Sequence, residues 1–285
     1  MLGCRLPEYD RCIRAIRSTW GARPPADVDI LYLYGRPISS GQEGVDLSPE
    51  MGRAEPDLEE NEAVRLGDLI LCGTGDVYAD QVDGILRKRL LAFAALADGG
   101  EYDFVYNVCA SSYVDVQELR RYVQGLPATG VYHGPLGVCG SSGYPFVSGA
   151  SLLLSMDVVA DLAAAADEII ATNAGRHPDD VAIGRWIAET QCEESLPDIC
   201  DRIAAGERAT RGQAFVLPNG RGMTDWVEPS PEDRTPQPGV FHYHFHSQRM
   251  WELLSFHRRC FEPVPGPGAV GTDSESPRAA GQTQH

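Results

Sequence analysis

Two adjacent carboxylates, Asp179 and Asp180, follow Pro178 and precede an apolar helical stripe of Val181, Ile183, Trp186 and Ile187. Carboxylates in the first turn of a helix accept its unpaired N–H groups and sit favourably in its dipole field. They serve either as caps alone, or with one capping while the other faces a cleft as a general base. A second group is Phe241-His242-Tyr243-His244-Phe245-His246, where a strand would put His242, His244 and His246 on one face. Imidazoles aligned in this way could ligate a metal, or form a half-exposed strand with ordinary hydrogen bonds. A third group is Arg14 and Arg17 with Trp20, one helical turn apart. Their guanidinium forks could clamp a phosphate or form a plain solvated face. Lys88 is the single lysine, which leaves 23 arginines among 24 cationic residues. An ammonium and a guanidinium do different chemistry, so Lys88 joins the candidates.

The elements that must position these residues alternate in type. Apolar runs predict strands at 29–34, 68–72, 102–108, 130–133, 145–155 and 240–245. Helical spacing of apolar residues predicts helices at 11–20, 86–97, 116–126, 158–169, 181–187 and 250–259. Gly99-Gly100 stops the second of these, and Asp115 with Glu118 has capping-box spacing ahead of the third. Residues 36–63, rich in Gly, Pro and acid, read as a solvated excursion. The alternation predicts an α/β fold: a mixed, mainly parallel sheet with helices on both faces. Residues 263–285 lack large apolar side chains and predict a disordered tail, leaving 1–262 as one folded domain.

Composition excludes several functions. The chain has 285 residues, 43% of them hydrophobic, enough for one sizeable core. Its formal net charge of −17 argues against nucleic acid or an anionic membrane surface as a main partner. Any anionic substrate therefore needs a local cluster of cations. No apolar run reaches the ~20 residues of a membrane span, and the first residues lack an apolar signal-peptide core. A cytoplasmic location is the expectation. The eight cysteines form no C-x-x-C pair and read as reduced thiols. Neither a Gly-rich nucleotide loop after a strand nor a G-x-S-x-G elbow is present.

Taken in order along the chain, several short motifs resemble the β-1,3-glycosyltransferase family of galactosyltransferases, N-acetylglucosaminyltransferases and fringe enzymes. Arg14-Ala15-Ile16-Arg17-Ser18-Thr19-Trp20-Gly21 is similar to that family's R-x-x-I-R-x-T-W-G opening. Asp68-Leu69-Ile70 followed by Asp76-Val77-Tyr78 resembles its G-D-I and D-x-Y segment, and Lys88 falls where the family has a K-T lysine. Phe146-Val147-Ser148-Gly149 through Ser155 resembles its S-G strand, and Asp179-Asp180-Val181-Ala182-Ile183-Gly184 its E/D-D-V-x-x-G motif. The likeness spans roughly residues 11–260.

This resemblance implies a GT-A-like fold and inverting transfer of a hexose from a nucleotide sugar, a UDP-sugar, to an acceptor hydroxyl. By the same likeness Asp180 is the general base and Asp179 caps and orients the helix, or the two exchange roles. Arg14, Arg17, Lys88, Ser111 and Ser112 would bind the nucleotide sugar, and Phe146, Ser148 and Gly149 would line the acceptor side. One departure matters. The family's D-D-D or D-x-D motif, which holds a divalent cation, falls at Cys109-Ala110-Ser111, where no carboxylate stands. Cys109-Ala110-Ser111-Ser112-Tyr113 instead resembles the end of an R-T-N-x-S-S-[FY] version carried by bacterial and viral relatives. Asn107 then takes the place of that version's arginine. The segment from His242 to His246 resembles those relatives' H-Y-R-x-K-[NS] stretch, which puts His244 and His246 where a cation faces the diphosphate. The missing carboxylates imply a reduced or absent need for Mn²⁺ or Mg²⁺. Two other readings stay open: a catalytically inactive sugar-nucleotide or carbohydrate binder, and a His-metal hydrolase.

Overall fold

A computed structural model describes residues 5–36, 45–75, 82–100, 102–139, 144–191, 239–244 and 257. Within them the chain is α/β. Helix α1 (Pro7–Arg17) leads to β1 (Tyr32–Arg36), a short helix α2 (Ser48–Met51), and the strands β2 (Ala63–Leu66) and β3 (Leu69–Gly75). Helix α3 (Val82–Gly99) precedes β4 (Phe104–Val108), β5 (Ser112–Val114) and α4 (Val116–Val123). Then come β6 (Tyr132–His133), β7 (Leu136–Val138), β8 (Pro145–Val147) and β9 (Ser151–Ser155). Helices α5 (Met156–Ala164), α6 (Ala166–Asn173) and α7 (Asp179–Thr190) follow, and β10 (His242–His244) is the last described strand.

The expected mainly parallel sheet is corrected by the pairing. Four small sheets replace it among the described residues: β1-β3-β2, β4-β9-β6, β10-β5 and β7-β8. Only β1 and β3 run parallel; β2–β3, β4–β9, β6–β9, β7–β8 and β10–β5 are antiparallel. The physical reason lies in the connections. Gly67, at φ +63°, turns a tight hairpin between β2 and β3, and a second hairpin folds β7 back on β8. Hairpins of that kind join antiparallel strands, whereas parallel neighbours need a crossover connection. Short strands without a strong alternating pattern put β2, β5 and β7 outside the predicted strands.

Helices do cover both faces. The β1-β3-β2 sheet packs Tyr32, Tyr34, Leu69 and Leu71 against Cys12, Ile13 and Ile16 of α1. Its other face sets Leu33, Ile70 and Cys72 against Ala92 and Leu96 of α3. The β4-β9-β6 sheet lays Tyr132, Leu152 and Leu154 on α3, α5, α6 and α7, and turns Leu153 toward Phe241, Leu119 and Tyr122. Helix α3 thus serves both sheets, with Leu86, Leu90 and Phe93 on one side and Ala92 and Leu96 on the other. The predicted 158–169 helix is divided at Ala165 into α5 and α6. Asp115 caps α4 as its spacing requires, accepting from the backbone N–H of Gln117 and Glu118. The predicted helix at 250–259, apart from residue 257, and the tail at 263–285 lie outside the described residues.

Candidate functional site

Asp179 and Asp180 open α7, and the two carboxylates divide their work in an unexpected way. Pro178 is the N-cap and makes no side-chain capping bond. Asp180 accepts the N–H of Val181 through Oδ1 at 2.9 Å and that of Gly149 through Oδ2 at 3.0 Å. Asp179 instead forms an ion pair with Nη2 of Arg89 at 2.8 Å. The expected capping by Asp179 is therefore corrected: Asp179 is paired with a buried cation, and the first-turn N–H of Val181 is met by Asp180.

Gly149 sits in the turn that joins β8 to β9. That turn is closed by the Ser151 N–H donating to the Ser148 carbonyl, with Ala150 N–H donating to Ser148 Oγ. The Gly149 carbonyl collects donors from two other elements: Asn107 Nδ2 of β4 at 3.2 Å, Arg89 Nη2 of α3 at 3.4 Å, and the Cys109 thiol at 3.9 Å. A second turn at the end of β4, closed by Ser112 N–H donating to the Cys109 carbonyl, is tied to the first by Cys109 N–H donating to Ala150. Two turns, one helix start and the buried face of α3 thus converge on a single glycine.

The need for glycine here is steric. A Cβ on Gly149 would lie 2.9 and 3.1 Å from the two terminal guanidinium nitrogens of Arg89 and 3.3 Å from Cβ of Asp180. Gly149→Ala is expected to displace the guanidinium and lower the unfolding free energy by about 1–3 kcal/mol, as overpacking commonly does. Urea unfolding of the variant checks it; an unchanged midpoint would show that the close packing is slack.

Electrostatics separates the two aspartates. Burial, and then the charge of Asp179, pushes the Asp180 carboxyl above the usual carboxylate range. The Gly149 N–H, the charge of Arg89 and the Val181 N–H pull it back. A carboxyl poised in this way suits a base that must hold a proton only transiently.

The other candidates fall into three places. Arg14 is exposed and pairs with Asp10 of its own helix at 2.8 Å. Arg17 pairs with Glu50 at 2.7 Å and Asp68 at 3.0 Å, and its guanidinium lies 4.5 Å from the centre of the Tyr32 ring. Neither arginine touches Asp179 or Asp180 among the described residues. Lys88 is buried on α3, where its carbonyl accepts from the Cys72 thiol at 3.6 Å. Ser148 is buried in its turn and Phe146 half-buried opposite Gly137 on β7.

Ser111 and Ser112 meet the C-terminal strand rather than an open pocket. Ser111 Oγ lies 3.1 Å from His244 Nε2, and the Ser112 carbonyl accepts from Trp20 Nε1 at 3.2 Å. His242, fully buried, bonds through Nδ1 to the Tyr106 hydroxyl at 2.6 Å. Burial and the neighbouring His244 push its imidazole down to about 3, so it is neutral near pH 7. His246 lies outside the described residues.

The donor set does not fit a hard divalent cation. Cys109, Ala110 and Ser111 supply no carboxylate, whereas Mn²⁺ and Mg²⁺ prefer anionic oxygen ligands. Among the described residues no group of three His, Cys, Asp or Glu side chains is arranged to hold a metal, and no helix is long and apolar enough to cross a membrane.

Arg89 is the residue that motif reasoning missed. The signal was present in the spacing: Arg89 is three residues after Leu86 and four before Phe93, on the stripe that faces the core. A cation on the apolar stripe of a helix needs a buried counter-charge. Compared with protein-family models and with curated proteins, the chain matches none.

Proposed function

We propose that the chain is an inverting glycosyltransferase of GT-A-like architecture that moves a hexose from a UDP-sugar to an acceptor hydroxyl. Asp180 takes the hydroxyl proton as the oxygen attacks the anomeric carbon in line, and the nucleoside diphosphate leaves from the opposite side. The observation that carries this reading is the seating of Asp180 on the Gly149 N–H, with its affinity for protons raised by burial and by Asp179. A general base needs a fixed position and a raised proton affinity, and this carboxylate has both. Gly149 and Ser148 would then face the acceptor, beside Phe146.

Departure of a nucleoside diphosphate leaves negative charge that must be stabilised in a dry site. We assign that charge to the positive field of Lys88, a buried cation on α3. The nucleotide-sugar donor and hydroxyl acceptor are the partners this reading requires, and the cytoplasm the place where it would work.

The decisive assay incubates the chain with UDP-hexoses and a panel of hydroxyl acceptors, with Mn²⁺ and with chelator, and follows UDP release. Acceptor-dependent UDP release that survives chelator is the expected result. The lack of carboxylates at 109–111 favours a second reading, a sugar-nucleotide binder without turnover. That reading predicts a melting-temperature rise with UDP-sugar and no product in the same samples.

A further inference from the structure

We propose that Arg89 is the positioning residue of this site: from the buried face of α3 it holds Asp179 and the Gly149 turn, and through them the carboxylate of Asp180. The proposal rests on the reading of Asp180 as the base and adds what keeps that base in place. Arg89 does not act on substrate directly, since its side chain is only 1% exposed.

Its contacts are the argument. One nitrogen, Nη2, serves both the Asp179 carboxylate at 2.8 Å and the Gly149 carbonyl at 3.4 Å. Gly149 in turn donates its N–H to Asp180. Two of the three attachments that define the base, its neighbour on α7 and its seat on the β8–β9 turn, are therefore held by one guanidinium. That guanidinium packs closely against Gly149, where a Cβ would lie 2.9 Å from Nη2.

A purely structural role explains this arrangement poorly. Nε and Nη1 of Arg89 find no hydrogen-bond acceptor among the described residues. A buried, partly satisfied cation is a costly way to join two helices, and an apolar residue of similar volume often serves stability equally well. What an apolar residue cannot supply is a positive charge next to two adjacent carboxylates. The charged groups facing Asp180 are Asp179 from its own helix and Arg89 from α3. The strand β4 and the turn after it contribute the neutral Asn107 amide and the Cys109 thiol, both aimed at the Gly149 carbonyl. Without Arg89, two carboxylates would share the pocket with no cation, and one would keep its proton.

The test uses the full chain with 13C-labelled aspartate, the Asp180 signal being assigned by its loss in Asp180→Asn. In Arg89→Gln the Asp180 titration midpoint should rise by at least one pH unit, about a tenfold gain in proton affinity. Arg89→Lys, which keeps the charge on a shorter side chain, should show a smaller rise. In transfer assays the acidic limb of kcat should move by the same amounts, while KM for the donor stays within about twofold. If Arg89→Gln does not fold, Arg89→Lys alone decides. An Asp180 midpoint and a kcat profile identical to the native chain in a folded Arg89 variant would overturn the proposal. Failure of the glycosyltransferase reading looks different: no nucleoside diphosphate is released by the native chain, while the titration still reports the link between Arg89 and Asp180.

Discussion

Asp180→Asn is expected to lower the rate of the proposed transfer about 10²–10⁴-fold, the usual worth of a positioned general base, and to leave the chain folded. The amide oxygen can still accept one of the two N–H groups, from Gly149 or Val181, that the carboxylate now receives. Donor KM should change little, because the lost interaction belongs to the proton in flight and not to donor binding. Asp179→Asn gives the contrasting result. It removes the negative neighbour that helps raise the Asp180 proton affinity and leaves Arg89 to face Asp180 alone, so the acidic limb of the rate profile moves to lower pH with activity retained. Should Asp179→Asn be the inactive variant and Asp180→Asn the active one, the two roles are exchanged. Should both transfer at the native rate, this pair of carboxylates is not the catalytic centre.

Acid weakens the fold through buried imidazoles. His133 is wholly buried beside Tyr122, whose hydroxyl bonds its Nε2 and whose ring stacks on it at 5.5 Å between centroids. Burial pushes its pKa from 6.5 down to about 4. In the unfolded chain the ring binds a proton below pH 6.5, while in the folded chain it stays neutral until about pH 4. Its contribution is therefore complete above 6.5 and lost as pH falls through that window, on the order of 3 kcal/mol by pH 4. His242 acts in the same sense. Asp180 acts in the opposite one: its raised proton affinity makes the folded state more stable when it is protonated, so its share declines as pH rises. Denaturant unfolding between pH 4 and 7 should show stability climbing steeply with pH in the native chain and less steeply in His133→Gln. An equal slope in both would mean that His133 is protonated without unfolding the protein.

What could be read from the residues was the type of element and the motif order, because both are local. Helix α7 begins at Asp179 as its apolar stripe requires, and Asp115 caps α4 as its spacing requires. Strand direction was not legible. Hydrophobic spacing marks a segment as a strand, but which way it runs beside its neighbour depends on the reversals between them, and the β7–β8 hairpin gave no strong pattern. The site was half legible. Asp180 and Gly149, 31 positions apart, were both singled out and are joined by a hydrogen bond. Arg89 carries no motif signal beside the rarer Lys88; only its place on the core-facing stripe marks it. Arg17's type and its one-turn spacing from Arg14 suit a phosphate clamp, while its partners in the structure, Glu50 and Asp68, are distant carboxylates that no local pattern reveals.

The pairing of β5 with β10 ties the middle of the chain to a segment some 130 positions later, at Ser112 opposite His244. Synthesis proceeds from the N-terminus, and domains tend to fold as their residues emerge. The stretch around Tyr113 must then wait, with one edge open to water, until almost the last described residues leave the ribosome. Nascent chains halted before residue 239 would lack this partner strand, and limited proteolysis around Tyr113 should cut them faster than the full chain.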